Sequence, residues 1–250
     1  MVVNPVEVSA IIFSCIFGAA MLGLWLRGVL PEHHLNAETK DLVKLGVGLI
    51  GTMAALLLGL LIASAKSSYD ARNSEVTQMA ANVILLDRAL AHYGPPAGEI
   101  RGIFKIAITR MIDQVWSEEG KMDSAPSGGA GPVYDKIQEL VPRSDGQRAL
   151  QSQAESILVN FAQERLLLFA QSGSSISIPF LVVVVFWLAV LFVSFGLFAP
   201  RNATAIVTLF VSAMSVAGAL FLILELDHPF SGLIQVSNAP LRTALSMLGK

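Results

Sequence analysis

The sequence predicts an all-α integral membrane protein, with four transmembrane helices and a helical domain inserted between the second and third. Three observations carry this reading. The 250-residue chain is 54% hydrophobic and only 14% charged, whereas a soluble domain carries about 25% charged residues. Four apolar stretches, 6–26, 45–65, 176–199 and 204–226, are each long enough to cross a bilayer. Between the second and third, apolar residues recur at helical spacing, with no strand alternation and no internal repeat. The expected organisation is a first transmembrane hairpin over 1–65, a helical extramembrane domain over 66–175, a second hairpin over 176–226, and an interfacial C-terminal segment over 227–250.

The first span, 6–26, has Glu7 near one end and Trp25 and Arg27 at the other, as interfacial anchors do. Leu30-Pro31 ends it, because the residue before proline is pushed out of the α region. Cys15 is the only cysteine, which excludes a disulfide framework and a CxxC site and leaves it as small core filler. A short polar connection, 32–44, comes next, with Asn36 as an expected N-cap. His33, His34, Glu38 and Asp41 lie in it without metal-ligand spacing.

The second span, Leu45–Ala65, is apolar and uncharged for 21 residues. No proline interrupts the polar residues beyond Ala65, so one helix should leave the membrane and run on to Gly94-Pro95-Pro96. One face of it reads Gly48, Gly51, Ala55, Gly59, Ala63, Lys66, Asp70, Asn73, Thr77, in steps of three and four. The face is small inside the membrane, which lets another helix approach closely, and polar outside it. It serves either as the axis of a homo-oligomer with a polar mouth or as a packing face for a helix of the same chain.

Residues 97–119 form a further amphipathic helix with Ile100, Phe104 and Met111 on its apolar side. Residues 120–132 are a loop by composition, 133–141 a short helix, and Ser144 or Asp145 caps a long helix to about Gln171. The third span, 176–199, is rich in valine and phenylalanine, which suits lipid contact. In the fourth, Thr204, Thr208, Ser212 and Ser215 fall on one face, where helix-to-helix hydrogen bonds are expected. Glu225, Asp227 and His228 form an acid cluster at its end. An acid at membrane depth is expensive and is usually paired or functional. Glu225 shares a face with Gly218 and Met214, which should turn it into the bundle.

A net charge of −2 and the absence of a basic stripe exclude a nucleic-acid partner. No Walker loop, GxSxG, HExxH or CxxC is present. The string Gly46-Val47-Gly48-Leu49-Ile50-Gly51 matches GxGxxG but lies in a membrane helix with no strand before it. No catalytic residue, cofactor or metal site is therefore expected, and the chain does not read as an enzyme.

Leu60–Pro95 (LLIASAKSSYDARNSEVTQMAANVILLDRALAHYGP) and Leu222–Leu245 (LILELDHPFSGLIQVSNAPLRTAL) resemble the bacterial bestrophin-like domain family. The resemblance implies a four-span protein of the bacterial inner membrane, with two spans on either side of a helical domain. Bestrophins themselves are pentameric chloride channels with an acidic calcium clasp and a phenylalanine-lined neck. This chain has no such acidic run, and Leu45–Ala65 holds no aromatic residue, so calcium gating and anion selectivity do not carry over. Four spans put both termini and the domain on one side, here taken as cytoplasmic. The leading expectation is a homo-oligomeric channel lined by the second span. The alternative is a non-conducting adaptor whose helical domain binds a protein partner. A third is a carrier using Glu225.

Overall fold

The computed structural model describes residues 4–31, 37–116, 131–170, 178–227, 229–230 and 232–249. Among them the chain is all-helical: α1 (Pro5–Val29), α2 (Ala37–Tyr93), α3 (Gly98–Val115), α4 (Gly131–Gln138), α5 (Asp145–Ala170), α6 (Ile178–Phe198), α7 (Ala203–Leu226) and α8 (Ala239–Met247). Four of these, α1, α2, α6 and α7, are long and apolar enough to cross a membrane. The described residues divide into two compact units, one within Met1–Ser68 and Ser175–Asp227, the other within Tyr69–Ser174 and His228–Lys250.

In the first unit, α1 packs along α6 and α7. Asn4 caps α1, accepting from the Val6 N–H at 3.1 Å with Pro5 in the first turn, and the helix stops at extended Leu30 before Pro31. The α1–α6 crossing is set by Gly23 and Gly196. A Cβ at Gly23 would overlap the Val193 carbonyl oxygen, and one at Gly196 would overlap the Ala20 carbonyl oxygen. Each glycine thus aims a Cα hydrogen at the other helix's backbone. Such contacts contribute about 0.5–1 kcal/mol each and bring the backbones together. Ile16, Ala20, Val184, Leu188 and Phe192 fill the remainder of this seam. The Phe13 and Phe17 rings stand edge-on to Phe210 at 5.4 and 5.5 Å, which fastens α7 to α1. The third span therefore presents one face to lipid, with Phe180 and Phe186 exposed, and another to the centre of the unit. Cys15 is exposed and is not core filler.

The second unit is built on the far part of α2, whose Val76, Met79, Val83, Leu86 and Leu90 are buried against α3, α4, α5 and α8 residues. Gly94, at φ 108°, makes the turn out of α2 that no side chain would tolerate well. Ser144 rather than Asp145 caps α5: its Oγ accepts from the Gln147 N–H at 3.2 Å, and Gln147 Oε1 accepts from the Arg143 N–H at 2.7 Å. The expected N-cap Asn36 and residues 120–130 of the expected loop lie outside the described residues. The C-terminal segment differs from the interfacial stretch expected over 227–250. Val236, Leu241, Ala244 and Leu248 are buried in the core of this unit. Trp116 Nε1 donates to the Val236 carbonyl at 2.8 Å, and its ring meets Phe230 edge-on. One apolar face with step-three and step-four spacing fits a lipid interface or a protein core equally well, and here the protein covers it.

Asp87 is a buried anion of this unit. Arg101 grips it side-on, Nε to Oδ1 at 2.7 Å and Nη2 to Oδ2 at 2.8 Å, and the Gly249 N–H reaches Oδ2 at 3.4 Å. One carboxylate thereby joins α2, α3 and the C-terminal segment. Burial pushes its pKa up, but the Arg101 hydrogen bonds and charge, the Gly249 N–H and the Arg88 charge together hold it below 3.8.

These contacts set two expectations for stability. Gly23→Val and Gly196→Val each force a side chain into backbone that cannot move aside. Each should cost about 1–3 kcal/mol or more, read as a lower unfolding temperature in detergent. The Asp87 contribution is present above its unfolded value of 3.8 and is lost as pH falls through the lower folded value. Wild-type stability should therefore drop between about pH 5 and pH 2, with a shallower drop in Asp87→Asn. Arg101→Met, which strands the carboxylate, should cost about 3–5 kcal/mol at pH 7.

Candidate functional site

The candidate pore face is distributed over one helix. In the membrane segment of α2, Ala54, Leu61 and Ala65 are buried against the bundle. Gly48, Ala55, Gly59, Ala63 and Lys66 are exposed on the other side. A Cβ at Gly48 or Gly59 would meet nothing within 4 Å. Gly51 is the exception, half-buried with Leu191 Cδ2 3.8 Å from a Cβ built there. The small stripe is therefore not where this chain packs its own helices closely. That role falls to Gly23 and Gly196. In the most apolar window of α2 only 11% of residues are buried, against 28% in each of the other three spans. In the second unit, Asp70, Asn73 and Thr77 are also exposed, and Thr77 Oγ1 donates to the Asn73 carbonyl of its own helix at 2.9 Å.

Of the acid cluster, Glu225 and Asp227 are buried, at 2% and 6% exposure, and His228 lies outside the described residues. The burial of Glu225 belongs to the last turn of α7 alone. Gly218 and Met214, about two and three turns back along the face expected to turn inward, are not buried. The inward face of α7 is instead Leu209, Ala213, Ala217, Leu220 and Leu224. The hydroxyl stripe bonds within its own helix: Thr208 Oγ1 donates to the Thr204 carbonyl and Ser215 Oγ to the Val211 carbonyl, each at 2.9 Å.

Two arginines close the end of the bundle where α1 and α6 stop. Arg27, in the last turn of α1, donates to the Ala199 carbonyl beyond α6. Arg201 Nη2 donates to the Leu24 and Trp25 carbonyls near the end of α1, at 3.0 and 3.3 Å. Each cation thus satisfies carbonyls at the other helix's negative end. Gly28 leaves that position open, since a Cβ would overlap the Arg201 guanidinium where it now sits. At the same end, a cavity of about 560 Å³ is lined by Lys40 and Lys44 of α2, Phe195 and Phe198 of α6, and Thr204 and Thr208 of α7.

In the second unit, Asn82 Nδ2 donates to both Glu164 oxygens, at 3.0 and 2.9 Å, beside a polar groove of about 370 Å³. Arg165, one residue on, is buried, and desolvation holds its guanidinium below the usual arginine range. Sequence reasoning missed Gly23, Gly196, Gly28 and the Asp87–Arg101 pair. A signal existed for the first two: Ala20 and Gly23 are three apart, and Ala189 and Gly196 are seven apart.

A family model described as a Bestrophin-like domain matches residues 14–241, from α1 into α8. No curated protein and no solved structure gives a significant match. With the match running over nearly the whole chain and four membrane-length helices in place, the chain belongs to the Bestrophin-like family.

Proposed function

We propose that the chain forms a homo-oligomeric ion channel of the membrane in which α2 faces the axis of the assembly. The observation that carries this reading is the exposure of Gly48, Ala55, Gly59 and Ala63 in a single chain whose bundle is packed on the opposite side of α2. A face without bulk admits either a close neighbour or an open path, and both occur when a helix lines an axis. Lys66 ends this face and supplies a charge at the mouth, with Asp70, Asn73 and Thr77 next along α2. Family membership supports ion transport as the activity. The permeant ion is an object of the test, because the calcium clasp and aromatic neck of bestrophins have no counterpart in the sequence.

A second reading, a non-conducting adaptor, draws on the polar groove beside Asn82 and Glu164, which would suit a hydrogen-bonding protein segment. Ion flux through proteoliposomes separates the two. Wild type should conduct, and Lys66→Ala should change the ratio of cation to anion flux. A monomeric mass in mild detergent, or no flux from folded oligomer, overturns the channel.

A glycine contrast locates the axis. A side chain at Gly59 meets nothing in its own chain, so the unfolding temperature of Gly59→Phe should stay close to wild type. Overpacking between subunits should cost about 1–3 kcal/mol per contact, roughly tenfold or more in assembly or flux. An unchanged oligomer and unchanged flux in Gly59→Phe would move the axis away from α2.

A further inference from the structure

We infer that the cavity between the start of α2 and the α6–α7 turn binds an anionic phospholipid, with the phosphate on Lys40 and Lys44 and an acyl chain along Phe195 and Leu209. The site lies wholly within the membrane unit and does not depend on the channel reading. Its volume, about 560 Å³, suits a headgroup and the upper part of a chain.

The lining divides by chemistry. Lys40 and Lys44 come from the first two turns of α2, at the polar end of that span. Phe195 and Leu209 come from helices of membrane length and supply the apolar wall. Thr204 and Thr208, from the first two turns of α7, add hydroxyls to the lining. Cation, hydroxyl and apolar wall are the three chemistries that a phosphate, an ester and an acyl chain require.

Three further features favour an anion. The α7 N-terminus opens on the cavity through Asn202, Thr204 and Ala205, adding the positive end of a helix dipole. Arg27 and Arg201 are committed to helix carbonyls, so the cavity's own cations are the two lysines. Asp41 lies 3.1 Å from Lys44 Nζ, but both are well exposed, and such a pair contributes little for a phosphate to displace. A zwitterionic headgroup carries its own cation towards the lysines and loses this advantage.

Native mass spectrometry of the full chain in detergent tests this with three probes: dioctanoyl phosphatidic acid, dioctanoyl phosphatidylcholine and inorganic phosphate. Phosphatidic acid should be retained in preference to the other two. In Lys40→Gln/Lys44→Gln its affinity should fall about tenfold to thirtyfold, and Lys40→Arg/Lys44→Arg should restore most of it. Thr208→Trp, which fills the wall without touching charge, should also weaken it. Equal retention of the two lipids, or full retention in the glutamine double variant, overturns the site. Binding of inorganic phosphate as strong as that of phosphatidic acid overturns the lipid as occupant.

Discussion

The backbone contact between α1 and α6 at Gly23 and Gly196 is the constraint on which the membrane unit depends. Lipid tails are as apolar as leucine, so apolar side chains alone give these helices little reason to associate. What remains is close approach. A glycine on each helix lets the other's carbonyl oxygen come up to its Cα. Once those two points are fixed, the helix ends coincide, and Arg27 can reach the Ala199 carbonyl while Arg201 reaches Leu24 and Trp25. Gly28 leaves the space that the Arg201 guanidinium occupies. Because the tightest pair is formed by the first and third spans, the second span is left on the flank. The exposure of α2 is a consequence of where the small residues of α1 and α6 stand.

Charge is used sparingly and for fastening. In the membrane unit, two arginines are placed where carbonyls lack partners, which is where a cation near lipid is least costly. In the helical unit, Asp87 and Arg101 form a two-point grip, and the same carboxylate takes the Gly249 N–H near the chain end. The C-terminal segment is therefore held at both of its ends. Trp116 holds it through the Val236 carbonyl, and Asp87 holds it through Gly249.

Element length and type were readable from the sequence because span length, proline position and apolar period are local properties. Leu30-Pro31, Gly94-Pro95-Pro96 and Pro200-Arg201-Asn202 each mark a helix end within a residue or two. Partner choice was not readable. The α2 stripe has the right period for close packing, yet Ala20, Gly23 and Gly196 are the small residues this chain uses for it. Period alone does not say which of two small stripes meets a helix of the same chain. The C-terminal helix posed the same problem, since Leu241, Ala244 and Leu248 would suit lipid as well as they suit Trp116 and its neighbours. Cys15 was misplaced inward because a membrane helix is apolar all round, so composition does not reveal its buried side.

The glycines of α2 also bear on function through their cost. Gly46, Gly48 and Gly59 have no neighbour among the described residues that a Cβ would touch. In a helix interior each costs about 1 kcal/mol relative to alanine. At Gly23 of α1 and Gly196 of α6 that cost is offset by a backbone crossing within the chain. In α2 no described residue of the membrane unit offsets it at these positions. A lipid-facing helix would be better served by leucine or alanine there. In the assembly proposed above, the benefit lies in a surface formed with other subunits, since a helix surrounding an axis is the arrangement in which absent side chains are useful on the face that no described helix of its own chain covers.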